Sequence, residues 1–373
     1  MKILHVESGM NLYGGALQVV YLLQGIRELN EDTGEHVLVC PQGSDIAVAA
    51  FDKADRIYQV PMRGDLDIPF IFRLLRIINK ERPDLVHLHS RRGADLLGAI
   101  AGRWYGCPVL LTRRVDNPEP HWWVKFKYRL YDHVVTISNG IRTVLLEEGL
   151  KEIDVTCVPS AVDIDRFSVD CDRQSFIERL VLTEWLAQRQ LSNAQFIGMV
   201  AQFIERKGHH YLLAAIPEIV NKHPNVVFIL FGKGPLLDEI AKQVLTSECL
   251  SRHVFLPGFR DDMEFCLPCL DALVHPAEME GLGVSLLQAA ASSVPLVGAN
   301  AGGIPEIVRD GETGYLIPVA SPESIVTAVT RLLAEPEAAR RMGQNGRQRV
   351  IETFSISSMV SGNLRVYRQI LQN

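Results

Sequence analysis

Short β-branched runs alternate with longer amphipathic stretches along this chain, and the alternation starts twice. Residues 3–6, 36–40, 85–89, 109–112, 133–137 and 155–158 read as buried strands. Between them, segments such as 16–29 and 68–79 space their apolar residues as helices do. Strand and helix in repetition predict a parallel sheet with helices on both faces. After Pro159 a turn-rich connection and a helix over 175–190 intervene; a second series of strands then begins at Phe196 and continues through 226–231, 254–256, 272–275, 294–298 and 315–317. The expected fold class is therefore α/β, with two Rossmann-like doubly wound domains at 1–165 and 194–350 facing a central cleft. Residues 166–193 connect them, and a terminal helix within 351–373, with no strand left to cover, packs back on the first domain. A length of 373 residues exceeds one ordinary core and suits two.

The charge balance narrows the partners. A net charge of −6 offers no general attraction to polyanions, so nucleic acid is not expected as a ligand and any phosphate chemistry must be local. No apolar run approaches the ~20 residues of a membrane span, and the N-terminus enters a strand without a leader pattern, which places the expected site of action in the cytoplasm or against the inner membrane face. Seven scattered cysteines suit reduced thiols. Cys266-Leu267-Pro268-Cys269 has redox or zinc spacing, but no further ligands stand nearby, and a structural role is expected for the pair.

In open α/β sheets ligands gather where strands end and helix N-termini point their amides outward. After the first strand comes Glu7-Ser8-Gly9-Met10-Asn11-Leu12-Tyr13-Gly14-Gly15, whose glycines let the backbone approach a ligand. It lacks the dinucleotide spacing, and no acidic residue closes the second strand, so a nicotinamide dinucleotide site is not supported. The densest cluster is Pro276-Ala277-Glu278-Met279-Glu280-Gly281-Leu282-Gly283-Val284-Ser285-Leu286-Leu287-Gln288, a carboxylate, glycines and a helix start. Such a set suits a sugar on a diphosphate, with the carboxylate taking hydroxyls and the amides taking phosphate oxygens. Gln202-Phe203-Ile204-Glu205-Arg206-Lys207-Gly208 and Phe231-Gly232-Lys233-Gly234-Pro235 belong with it.

With these motifs in this order, and with Gly302-Gly303-Ile304-Pro305-Glu306 and Gly311-Glu312-Thr313-Gly314 behind them, the chain resembles the family 4 glycosyltransferases of the GT-B fold over essentially its whole length. The resemblance implies a retaining transferase that uses a nucleotide-sugar, with a hydroxyl of a glycan or lipid-linked molecule as acceptor, as in polysaccharide or lipopolysaccharide assembly. It implies Glu280 on the transferred sugar, Lys207 on the donor diphosphate, and His89 near the sugar's 6-position. Gly14 and Gly15 would face the diphosphate, the amides of Gly283 and Val284 would meet sugar or phosphate, the turn from Gly258 through Phe259 to Arg260 would border the base, and Gly232 would be among the donor-binding residues. No Asp-x-Asp signature stands at a strand end, so neither metal nor other cofactor is expected.

Two positions depart from the family pattern. Gln288 stands for the second motif glutamate and forgoes a charge-assisted bond to ribose, roughly 1 kcal/mol. Gln202 stands for an arginine that clamps the diphosphate, and Arg206 or Arg260 is the candidate substitute. These glutamines also favour an alternative, a GT-B protein that binds without turnover. Finally, the stretch 113–129 mixes cations with Trp122, Trp123 and Phe126. It reads as an acceptor-pocket lining, a peripheral membrane contact, or a helix with buried aromatics and solvated cations.

Overall fold

The computed structural model describes residues 1–29, 33–90 and 93–372. They form two compact units, Met1–Ala161 with Ser355–Asn373, and Val162–Phe354.

The first unit holds a parallel sheet of β1 (Lys2–Val6), β2 (Glu35–Pro41), β3 (Arg56–Val60), β4 (Leu85–Leu88), β5 (Val109–Arg113), β6 (His133–Thr136) and β7 (Val155–Cys157). Its order is β3-β2-β1-β4-β5-β6-β7, so the winding reverses between β1 and β4. Leu- and Val-rich strands with no polar face fit a sheet covered on both sides. One cover joins Leu74, Leu97 and Val134 to the core; the other joins Leu22, Val360 and Tyr367. The helix Ile356–Gln372 lies on that second face, against the helix Gly14–Glu28, so closely that a Cβ on Gly25 would stand 2.7 Å from a Val360 methyl. Strand β3 is absent from the sequence expectation because Arg56, Tyr58 and Gln59 make this edge half-polar.

The second unit repeats the plan with β8 (Gln195–Val200), β9 (Val226–Phe231), β10 (Val254–Gly258), β11 (Ala272–His275), β12 (Leu296–Ala299) and β13 (Gly314–Ile317), ordered β10-β9-β8-β11-β12-β13. Here the winding reverses between β8 and β11. Residues 166–193 carry two short helices, Arg173–Arg179 and Leu182–Gln188, and bury Phe176 edge-on against Phe196. The single helix expected over 175–190 is interrupted because Val181 adopts a left-handed φ of 56°. The expectation of seven reduced thiols is corrected at one pair: the fold brings the Cα atoms of Cys171 and Cys269 to 4.9 Å, and the two are joined in a disulfide. Cys266, the other half of the Cys-x-x-Cys spacing, is a free buried thiol, pushed up to about 12 mainly by that burial.

Candidate active site

Each sheet places its chemistry where its winding reverses, the position at which an open α/β sheet leaves a crevice beyond its strand ends. In the second unit the loops following β8 and β11 leave adjacent strands, and they bring Lys207 and Glu280 together across 73 residues of sequence. Lys207 closes a turn of 3-10 helix, Glu205–Lys207, and its Nζ donates to Glu280 Oε2 at 2.5 Å. His275, the last residue of β11, donates from Nε2 to the same oxygen at 2.8 Å. Burial pushes the Glu280 carboxyl up, but the bonds and charges of His275 and Lys207 outweigh it and hold the group at about 2. Glu280 is therefore a carboxylate throughout the physiological range.

Backbone geometry holds the two loops in place. Gly208 turns the chain just after Lys207 with a φ of 72°, and a Cβ there would stand 2.2 Å from the Pro276 carbonyl oxygen. No side chain fits. The Glu278 amide donates to the Arg206 carbonyl at 2.9 Å, and the Gly303 amide to the Glu280 carbonyl at 3.0 Å. Gly232, at a φ of 145°, lets the loop after β9 approach the Ala201 carbonyl, which a Cβ would meet at 1.9 Å. Gly283 turns at a φ of 101° into the helix Val284–Ala291, whose N-terminus carries no side-chain cap. Its first amides and positive dipole end suit an anion.

The remaining expected donor residues surround this point less closely. Gln288 lies half-buried on the helix Val284–Ala291, Arg206 is half-buried, and Gln202 is exposed. Arg260 is held by a two-pronged bond to Asp262, Nε to Oδ1 at 2.9 Å and Nη2 to Oδ2 at 2.6 Å, so its charge is already offset. Phe259 is exposed, and the Lys233 ammonium sits 4.7 Å from its ring centre. Lys233, read only as part of a glycine loop, thereby joins Arg206, Lys207 and Arg260 as a further cation on the loops that follow this unit's strands.

In the first unit His89 and Gly15, but not Gly14, line a cavity of about 320 Å³, whose polar lining includes Glu7, Arg113, Arg114 and Lys127. Gly15 lies in the first turn of the helix Gly14–Glu28, and a Cβ on it would stand 3.2 Å from Arg114 Cδ; Gly14 has open space around it. Glu7 Oε1 accepts from the Gly9 amide at 2.8 Å, while its buried Oε2 has no partner. Burial raises the Glu7 carboxyl, opposed chiefly by the Arg114 charge. Arg114 is lowered by burial to about 10, with Glu7 opposing, and stays cationic at neutral pH. Sequence reading missed Glu7 and Arg114 as site residues, although each directly follows a strand, β1 and β5. The cavity and its unpaired carboxylate oxygen suit a polyhydroxylated ligand.

His89 follows β4 and is fully buried, as are His5 and His87. His87 Nε2 and Nδ1 lie 2.7 Å from Thr112 Oγ1 and Tyr367 Oη, so this histidine is a hydrogen-bonded core residue. His89 Nδ1 has no partner. Ring nitrogens of His5, His87 and His89 lie within 4.8 Å of one another, the candidate metal cluster among the described residues, but most of them are already hydrogen-bonded.

In the stretch 113–129 the arrangement of buried aromatics and solvated cations holds only in part: Tyr128 is buried and Lys125 and Arg129 are exposed, but other members are exchanged. Arg113 is buried on Glu119 at 2.6 Å, and Lys127 on Asp95 and Glu119 at 3.1 Å each. On the helix His121–Lys127 it is Trp122 and Phe126 that are exposed, at 73% and 59%. No helix among the described residues is long and apolar enough to cross a membrane.

Comparison with known proteins bears on both units. A profile described as Glycosyltransferase Family 4 matches residues 13–166, and one described as Glycosyl transferases group 1 matches 183–349. The chain is 22% identical, over all of its own length and 98% of the other's, to the UDP-Gal:alpha-D-GlcNAc-diphosphoundecaprenol alpha-1,3-galactosyltransferase of Escherichia coli. It is 29% identical, over 76% of its length and 75% of the other's, to a GDP-mannose-dependent phosphatidylinositol monomannoside mannosyltransferase of Mycolicibacterium smegmatis. The crystal structure of HepE from Anabaena in complex with UDP superposes with a TM-score of 0.82 at 16% identity, covering 99% of this chain and 100% of that one.

Proposed function

Since this chain is a family 4 glycosyltransferase of the GT-B fold and depends on a nucleotide-sugar, we propose that it transfers a hexosyl group to a hydroxyl of a lipid-linked or glycan acceptor, with retention and without a metal ion. The observation that carries this reading is the buried Lys207–Glu280 pair at the reversal of the second sheet. An incoming diphosphate would draw the Lys207 ammonium to itself, and a sugar hydroxyl would donate to the Glu280 carboxylate in its place. As the bond from the anomeric carbon to the phosphate oxygen breaks, its electron pair stays on the diphosphate. Lys207 and the helix start at Val284 stabilise that growing charge. The acceptor oxygen attacks from the same face, and its proton passes to the departing phosphate oxygen. Retention follows from that geometry of attack.

The test is a panel of UDP- and GDP-sugars, scored by thermal stabilisation and by donor hydrolysis with EDTA present. Stabilisation and EDTA-resistant hydrolysis by one donor are expected, with hydrolysis lost in Glu280→Ala. Binding without hydrolysis under every condition would leave the non-catalytic reading suggested by Gln202 and Gln288, and hydrolysis abolished by EDTA would overturn the metal-free step.

The lipid-linked acceptor accounts for the outward Trp122 and Phe126 beside Lys125 and Arg129, a surface suited to an anionic membrane. Removing both aromatics in Trp122→Ala/Phe126→Ala is expected to weaken binding to vesicles of anionic phospholipid by about tenfold or more, since burying each such ring contributes about 1.5–3 kcal/mol. Unchanged co-sedimentation would remove the membrane assignment.

A further inference from the structure

One of the two middle strands of the second sheet ends on a polar residue. β11 lies between β8 and β12, Ala272 to His275 are all buried, and the His275 side chain is only 1% exposed. An imidazole in that position has given up its water, which is unfavourable unless a bond inside the protein replaces it. Among the described residues one does: Nε2 lies 2.8 Å from Glu280 Oε2, whereas the buried Nδ1 has no partner. The hydrogen bonding of this ring is thus entirely with Glu280.

A carboxylate accepts hydrogen bonds and donates none, and its two oxygens together offer about four sites. The proton of the shared bond therefore sits on His275 Nε2. The sites at Glu280 are filled unequally. Lys207 Nζ at 2.5 Å and His275 Nε2 at 2.8 Å both meet Oε2. Oε1 accepts no bond from the described residues and is not sealed from solvent, on a side chain that is 16% exposed. One oxygen is anchored twice and the other is open to a ligand.

The two anchors differ in freedom. Lys207 carries its ammonium on a flexible four-carbon stem with three rotatable donors. His275 is a rigid ring at the end of a buried strand, and the loop between it and Glu280 is fixed by the bond from the Glu278 amide to the Arg206 carbonyl at 2.9 Å. A diphosphate that draws the ammonium away removes one anchor from Oε2 and leaves the other.

We infer that His275 is a positioning residue: it holds Glu280 Oε2 inward, so that Oε1 faces a hydroxyl of the transferred sugar once Lys207 has turned to the diphosphate. The sugar rests on the glycosyltransferase reading; the hold on Oε2 does not. Without His275 the carboxylate has no donor on its inner side at the moment the sugar must be aligned, and it turns about its own terminal bond. A group that meets the reacting ligand needs such support to keep its geometry.

Donor hydrolysis and nucleotide binding by the full chain test this, with UDP-glucose, UDP-galactose and GDP-mannose measured beside UDP and GDP. In His275→Leu, kcat for hydrolysis is expected to fall about tenfold or more, the order of loss for a hydrogen bond to a charged group. Calorimetric affinity for the nucleoside diphosphate, which brings no sugar, should stay within about twofold of the parent. His275→Gln sets an amide donor near the place of Nε2 and should restore hydrolysis to within about threefold. Unchanged hydrolysis in His275→Leu, a matching loss of nucleoside diphosphate affinity, or a glutamine variant as slow as the leucine one would each overturn the inference. If the leucine variant does not fold, the glutamine variant and nitrogen-15 spectra of histidine-labelled wild type decide, since a His275 without a proton on Nε2 overturns it too. A wild type that hydrolyses no nucleotide-sugar sinks the function; an Nε2–H signal of His275 that shifts in Glu280→Ala then leaves the hold on Oε2 standing.

Discussion

A Lys207→Met variant is expected to stay folded and to lose 10² to 10³ in turnover, the usual order of loss when a group that stabilises transition-state charge is removed. Methionine fills the space of the lysine stem and removes only the ammonium. Glu280 keeps its bond to His275, so the carboxylate is not stranded. The same substitution has a signature in acid. Glu280 sits at about 2 in the folded chain against an ordinary 4.5, a difference on the order of 3 kcal/mol. For a lowered carboxyl that stabilisation is complete above 4.5 and is lost as the pH falls toward 2. Without Lys207 the folded value rises, and the acid-unfolding midpoint followed by circular dichroism should move to higher pH. Turnover within threefold of the parent would remove Lys207 from the chemistry.

Tyr367→Ala is expected to be the most destabilising single substitution in the first unit, by about 3–5 kcal/mol for an emptied aromatic site. The ring is fully buried in the cluster that includes Ile3, Leu22 and Val360, and its hydroxyl is 2.7 Å from His87 Nδ1. Tyr367→Phe keeps the ring and strands the histidine nitrogen, at a cost of about 1–3 kcal/mol. Urea unfolding followed by hydrogen exchange should show the loss in β1, β4 and β5 while β8 to β13 keep their protection, because the two units have separate cores. An equal loss in both would show that they unfold as one.

The strand series of both units is legible in the sequence because parallel strands buried on two faces leave nearly continuous apolar runs. Strand β3 escapes that reading through Arg56 and Gln59, and the break at Val181 leaves no trace, since a valine in a left-handed turn has no sequence signature. Lys207 and Glu280 are legible through their motifs. Their contact is not, because it depends on β8 and β11 becoming neighbours only after the winding reverses. Glu7 and Arg114 sat inside segments read for other features, one for its glycines and one for its aromatics.

The return of Ile356–Gln372 to the unit that begins at Met1 sets an order on biosynthesis. A ribosome delivers this chain from its N-terminus, so β1 to β7 emerge early yet cannot close their second face until the final helix is out. The sequence of the second unit, Val162–Phe354, is synthesised before that helix. The earlier unit therefore shows the apolar surface that Val360 and Tyr367 will cover throughout the synthesis of the later one. A message truncated within the last helix would freeze that stage into a product with one sound half and one half for chaperones and proteases to recognise.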